Sequence, residues 1–274
     1  MTLNECPTQR HRHKQMVIYD LHPSVTAFST ERHCAVTEAP YDGFNITPYT
    51  GDAPTHVTAC RQELCRRLHI DDSNLVLPHQ VHGTQIAEIT AANLSSPLEG
   101  IDAVVTQLAN TCIGVSTADC VPILLYDSRN RAIAAVHAGW RGTVARIASK
   151  TLIYMRERFG TQSADVRAII GPSIGPDAFE VGDEVVEAFA TSGFDTGCLA
   201  FKKLRDSAGP TEEPRWHIDL WAANAADLRT ADVPPEAITI TGLCTFTYPA
   251  RFFSARRLGI NSGRMFTGCV IKGD

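Results

Sequence analysis

Apolar and polar positions repeat with two periods along this chain. Pro122-Ile123-Leu124-Leu125-Tyr126 and Ala132 to Val136 are unbroken apolar runs. Short runs of that kind, bounded by turn signals, read as strands buried on both faces. Val104-Val105-Thr106 and Cys112 to Ser116 read as further strands, and Asp127-Ser128-Arg129-Asn130 suits a hairpin turn between two of them. A helical period runs from Thr143 to Arg158. Val144, Ile147, Ala148, Leu152 and Met155 share one face, Arg146, Lys150 and Glu157 lie off it, and Gly160 is placed to cap it. The pattern predicts another helix over Thr55 to Leu68 and a third from Asp183, with Val186 and Phe189 inward. A fourth starts at Asp219, whose carboxylate caps it and which Pro234-Pro235 ends. Residues 205–215, polar and rich in Pro and Gly, read as a surface loop. Helices scattered among clustered strands predict an α+β fold, with mixed β-sheets in layers and helices outside.

Length and composition narrow this picture. The 274 residues suffice for one well-buried domain, and no linker or internal repeat divides them. Residues 1–15 read as a disordered polar tail, with His11 and His13 in it, and 16–274 as a single catalytic domain. The net charge of −5 gives no basic face for nucleic acid. No apolar stretch approaches the roughly 18 residues needed to span a bilayer, and no apolar segment follows the basic N-terminus as a signal peptide would require. The nine cysteines are odd in number and none has C-x-x-C spacing. That argues against a disulfide framework and against a ribbon-type zinc site, and makes the reducing cytoplasm the expected compartment.

Three segments concentrate chemistry: Pro78-His79-Gln80-Val81-His82-Gly83, Ser116-Thr117-Ala118-Asp119-Cys120-Val121-Pro122, and Val136-His137-Ala138-Gly139-Trp140-Arg141-Gly142. Each polar group is presented at the end of an apolar strand or in a glycine-containing turn, where a rigid scaffold displays side chains. His82, Cys120 and His137 form a plausible ligand set for zinc, and three protein ligands leave a fourth position open for water or substrate. On residue types alone, a metal-free Cys–His nucleophile pair competes with this reading. Arg141, at the start of a helix, suits an anion. No H-E-x-x-H, no deaminase P-C-x-x-C and no phosphate-loop pattern occurs.

These segments, with Ala27-Phe28-Ser29-Thr30, Ile170-Gly171-Pro172-Ser173-Ile174-Gly175, Phe179-Glu180-Val181-Gly182, His217-Ile218-Asp219-Leu220-Trp221 and Phe252-Phe253-Ser254-Ala255-Arg256-Arg257 followed by Gly263-Arg264, resemble the YfiH-type family. It is also called the laccase-domain or multicopper polyphenol oxidoreductase family. The resemblance spans about residues 16 to 266. It implies one α+β domain and a metal, zinc with copper as the alternative, on His82, Cys120 and His137. It also implies phosphorolysis of purine nucleosides (adenosine, inosine, methylthioadenosine) together with adenosine deamination, copper-dependent polyphenol oxidation being the older description. Within that expectation Asp119 is a candidate acid/base or a partner orienting a histidine. Arg141 and Arg256 are candidate phosphate contacts, and Asn45 and His79 candidate substrate contacts. The chain departs from the family at Glu31-Arg32-His33-Cys34, where an Arg and a Gly-Gly turn are usual, and at Ala178-Phe179, where Cys-Tyr is frequent.

Overall fold

The computed structural model describes residues 16–205 and 211–273. The expected N-terminal tail with His11 and His13, and part of the loop expected over 205–215, lie outside them. In chain order the elements are β1 (Met16–His22), β2 (Val25–Thr30), α1 (Pro54–Leu68), β3 (Leu75–Val76), β4 (Ile86–Glu88), β5 (Ala103–Thr106), β6 (Cys112–Thr117), β7 (Val121–Asp127) and β8 (Ala132–Ala138). They continue with α2 (Trp140–Val144), α3 (Ile147–Phe159), β9 (Val166–Ile170), β10 (Glu180–Val181), α4 (Asp183–Thr191), α5 (Thr196–Leu199), β11 (Ala200–Lys203), β12 (Arg215–Ile218), α6 (Leu220–Thr230), β13 (Ile238–Ile240), α7 (Ala255–Leu258) and β14 (Met265–Ile271).

Two mixed sheets stack face to face. One has the order β1-β2-β14-β6-β3, the other β13-β9-β7-β8-β5-β4, and β10-β12-β11 forms a small third sheet. The alternation of side chains along each strand assigns their faces. On β7, Leu124 and Tyr126 point into the layer between the two large sheets, where they meet Ile113, Val115 and Cys269. Ile123 and Leu125 point the other way, onto the layer formed with Met155 of α3 and Leu228 of α6. Because both faces are covered, β7 and β8 are apolar throughout, as their sequences read. On the outer face of the first sheet, Phe28 and Phe266 pack against Leu64 of α1. The fold is a single α+β domain of helix, sheet, sheet and helix layers.

The expected helix over Thr143 to Arg158 is two helices. Arg146 takes a left-handed conformation (φ 61°) between α2 and α3. Its guanidinium lies 3.5 Å over the Phe194 ring and donates to Asp227, while the same carboxylate accepts from Ser149 N and Ser149 Oγ at the start of α3. A carboxylate from α6 therefore caps α3, and the break is set by tertiary contacts that helical periodicity does not carry. Other boundaries shift slightly. Val185 and Phe189, one turn apart, are the buried pair of α4, with Val186 only half-buried. Asp219 caps α6 by accepting from Ala222 N, but the helix ends at Thr230, before the prolines.

The loop that departs from the family pattern is organised by Arg32, whose side chain is fully buried. It donates to the backbone carbonyls of Val36, Thr37, Asp42 and Pro249 and packs over the Phe253 ring. A buried cation surrounded by carbonyl oxygens does there what tight glycine turns do elsewhere: it fixes the path of the backbone.

Candidate active site

The chemistry-bearing segments meet at one end of the sandwich, where β6 of one sheet hands the chain to β7 of the other. Cys120 ends the turn just before β7. His137 lies on β8 opposite Pro122, and His82 is on the loop between β3 and β4. Their ligand atoms lie within 4.8 Å of one another. The rings of His82 and His137 meet edge to face with centroids 4.9 Å apart. His137 is buried, Cys120 half-buried and His82 exposed, so the group opens to solvent on the His82 side. Gly139 makes this closeness feasible: a Cβ there would stand 3.0 Å from both Cys120 Sγ and His82 Cδ2.

A fully buried carboxylate, Asp102, assembles the trio. It precedes β5, the neighbour of β8, and its Oδ1 accepts from His137 Nδ1 at 2.8 Å. That bond fixes the tautomer and leaves His137 Nε2 free to bind a metal. The same carboxylate accepts from three consecutive backbone N–H groups, those of Val81 (3.3 Å), His82 (2.9 Å) and Gly83 (2.7 Å). His82 adopts the left-handed conformation (φ 63°) that closes this nest. Asp102 thus holds one imidazole by its ring and the other by its backbone.

The electrostatics follow from this packing. Burial opposes ionisation of the Cys120 thiol, but the His137 and His82 rings outweigh it and bring the thiol down to about 6. Burial also works against a charged His137, but the Cys120 thiolate and Asp102 outweigh it and push the imidazole up to about 9. At Asp102 burial is again opposed by the His137 ring and the N–H groups of Gly83 and Val81, which hold the carboxyl below its usual range. A poised thiolate, two imidazoles and a second-layer carboxylate on one ring make a donor set that fits a zinc ion with an open position.

The trio forms part of the wall of a cavity of about 630 Å³, whose rim includes Tyr49, His79, Arg256, Ile260 and Arg264. Its size and mix of apolar and polar groups suit a small organic ligand. The Tyr49 and His79 rings lie 4.3 Å apart, and Tyr49 Oη donates to Pro78 O.

Comparisons with known proteins show the family. The family model described as multi-copper polyphenol oxidoreductase laccase matches residues 26–272. The chain belongs to this family. As a laccase-domain protein it is 41% identical over 268 residues to a purine nucleoside phosphorylase of Bacteroides thetaiotaomicron, covering 94% of this chain and 97% of that protein. It is 43% identical over 255 residues to adenosine deaminase RL5 of an unknown prokaryotic organism, covering 90% and 94%. The solved structure of the hypothetical protein YfiH of Bacillus licheniformis superposes with a TM-score of 0.85 at 27% identity, covering 94% of this chain and 97% of that one. YlmD of Geobacillus stearothermophilus gives 0.80 at 27%, covering 93% and 94%.

The laccase-domain fold brings together most, but not all, of the residues singled out in the sequence. His79, Asp119 and Arg256 line the cavity with the trio. Asp119 does not orient a histidine. Its carboxylate accepts from Thr245 Oγ1 (2.6 Å), Ser254 Oγ (3.0 Å) and Arg256 N (2.7 Å), which fastens the start of α7 beside the cavity. Arg141 is exposed, stacks 4.2 Å over Trp140 and is not part of the cavity wall; the helix it begins has only five residues. Asn45 is fully buried, with its amide engaged by Thr50, Asp52, Thr47 N and Arg264 N, so it supports the wall without reaching the cavity. Asp102 and Arg264 were not singled out as site residues. Asp102 carried only the faint signal of an acid at the head of an apolar strand. Arg264 stood in the Gly263-Arg264 motif with no role attached.

Proposed function

We propose that this chain is a zinc-dependent purine nucleoside phosphorylase with adenosine deaminase activity, acting on adenosine, inosine and methylthioadenosine. The carrying observation is the convergence of His82, Cys120 and His137 in the wall of a nucleoside-sized cavity. The names of relatives that align along nearly the whole chain point the same way. His82, Cys120 and His137 are the ligands in this reading, and the ion supplies Lewis acidity at the position they leave open. Copper would also bind such a set, since it outcompetes zinc at imidazole and thiolate.

In phosphorolysis, a phosphate oxygen bonds to ribose C1′ as the bond from C1′ to the purine nitrogen breaks. The electron pair leaves with the base, which takes up a proton. In deamination, water adds at C6 of adenine, and the C6–N bond breaks with release of ammonia. The chain's own groups bind and orient. The Tyr49–His79 pair offers a stacking wall for a purine. Arg256, whose Nη2 donates to Glu180 O, brings positive charge to the rim, and Asp119 holds it there through its backbone N–H. Among the described residues every cysteine is free and no helix is long and apolar enough to cross a membrane. The reading places the enzyme in a reducing compartment, the cytoplasm.

The test is incubation of pure protein with adenosine, with and without phosphate. Adenine and ribose 1-phosphate formed only with phosphate, and inosine formed in either case, support the reading. No product at micromolar protein contradicts it. The family model's description favours a second reading, polyphenol oxidation by several coppers. Among the described residues only one group of three His, Cys, Asp or Glu side chains gathers, which gives a multicopper electron relay no second centre. Several coppers per chain in protein grown without added copper would favour that second reading.

A further inference from the structure

Arg264 is a partly enclosed cation in the cavity wall that, among the described residues, no carboxylate pairs with. Arg146, by contrast, meets the carboxylate of Asp227. Arg264 is held instead by neutral oxygens of its own loop. Nη1 donates to Ser262 O (2.6 Å), Ser262 Oγ (3.1 Å) and Gly263 O (3.1 Å), and Nη2 donates to Ile260 O (2.7 Å). Its backbone N–H donates to the buried Asn45, which ties the loop to the Thr50 side of the same cavity. A guanidinium carries five donors. Among the described residues no hydrogen bond uses Nε, and Nη2 makes only the one. Burial destabilises the charge, and the neighbouring Cys120 and Asp119 offset this only in part.

We propose that Arg264 is the anion subsite of this cavity and binds inorganic phosphate through its Nε–H and remaining Nη2–H. The assignment rests on the nucleoside phosphorylase reading and supplies its second substrate with a place. A planar donor edge, fixed in advance by four carbonyl and hydroxyl oxygens, matches the spacing of two phosphate oxygens. Preorganisation by Asn45 and the loop spares the ordering cost on binding. The phosphate then sits on the same wall as the metal trio, beside the space left for ribose. Arg141, outside the cavity, takes no part.

The experiment is a titration of the zinc-loaded protein with inorganic phosphate, followed by calorimetry and by the NMR signal of the Arg264 Nε–H, assigned with Arg264→Lys. The expected result is a saturable shift of that signal in the wild type. Phosphate affinity should fall about 10- to 100-fold in both Arg264→Gln and Arg264→Lys, as loss of charge-assisted hydrogen bonds implies. The wild-type signal decides the matter even if the glutamine variant is unstable. Equal phosphate affinity in wild type and variants, an unmoved Nε–H signal, or binding of adenosine monophosphate without binding of free phosphate would overturn the assignment. The binding arm reads the subsite whether or not nucleosides are turned over, so its failure is distinguishable from failure of the proposed activity.

Discussion

Asp102 and His137 are joined twice. The His137 ring donates to the Asp102 carboxylate at 2.8 Å, and the His137 backbone N–H donates to the Asp102 carbonyl, also at 2.8 Å. The double link locks the imidazole against β5 before any ligand arrives. Asp102→Asn keeps the size but replaces one acceptor oxygen with a donor that faces ring or backbone N–H groups. Metal affinity is expected to fall about 10- to 100-fold, the range for second-layer partners of metal ligands. Competition with a chromophoric chelator measures it.

Metal affinity should depend on pH in two stages. In the metal-free protein, Cys120 loses its proton at about 6 and His137 at about 9. Between those values the pair is thiolate and imidazolium, so metal entry displaces the His137 proton. Affinity then drops about tenfold for each unit of falling pH. Below about 6 the thiol is protonated as well, and the loss steepens to about a hundredfold per unit. Zinc titrations of metal-free protein from pH 5 to 10, with proton release followed in weakly buffered solution, give the slopes directly. An affinity independent of pH between about 6 and 9 would contradict the assigned charges.

Gly139 and Gly160 should separate site effects from fold effects. Gly139 has an ordinary φ of −64°, so alanine is allowed there, yet its methyl carbon would press on Cys120 and His82. Gly139→Ala is expected to weaken metal binding by about 1–3 kcal/mol, the range for overpacking, with little change in unfolding. Gly160 caps α3 at φ 73° with nothing within 4 Å of an added Cβ. Gly160→Ala should lower stability by about 1 kcal/mol and leave metal binding and turnover intact. Urea unfolding alongside chelator competition distinguishes the two.

Much of the layered fold was legible because β7 and β8 are covered on both faces, which leaves unbroken apolar runs in the sequence. The breaks were not. α3 ends early at its N-terminus because Asp227, far along the chain, caps it and Arg146 turns onto Phe194. At the site, cysteine and histidine advertise themselves by residue type, and the family resemblance drew three distant ones together. Asp102 and Arg264 did not, because their importance lies in what they touch. A buried acid wrapped by three N–H groups and an enclosed arginine without an acid partner are visible only once the chain is folded. Arg141 misled because the apolar period from Thr143 to Arg158 promised a long helix starting beside it, while α2 is only five residues and the exposed Arg141 side chain stacks on Trp140.

The most direct test is the metal content of protein purified without chelators, wild type beside Cys120→Ala, measured by elemental analysis with circular dichroism as a check on folding. One zinc per chain in the wild type and next to none in a folded Cys120→Ala is the expected result. A wild type that retains no metal in zinc-replete buffer, or a variant that holds as much as the wild type, would contradict a centre built on His82, Cys120 and His137.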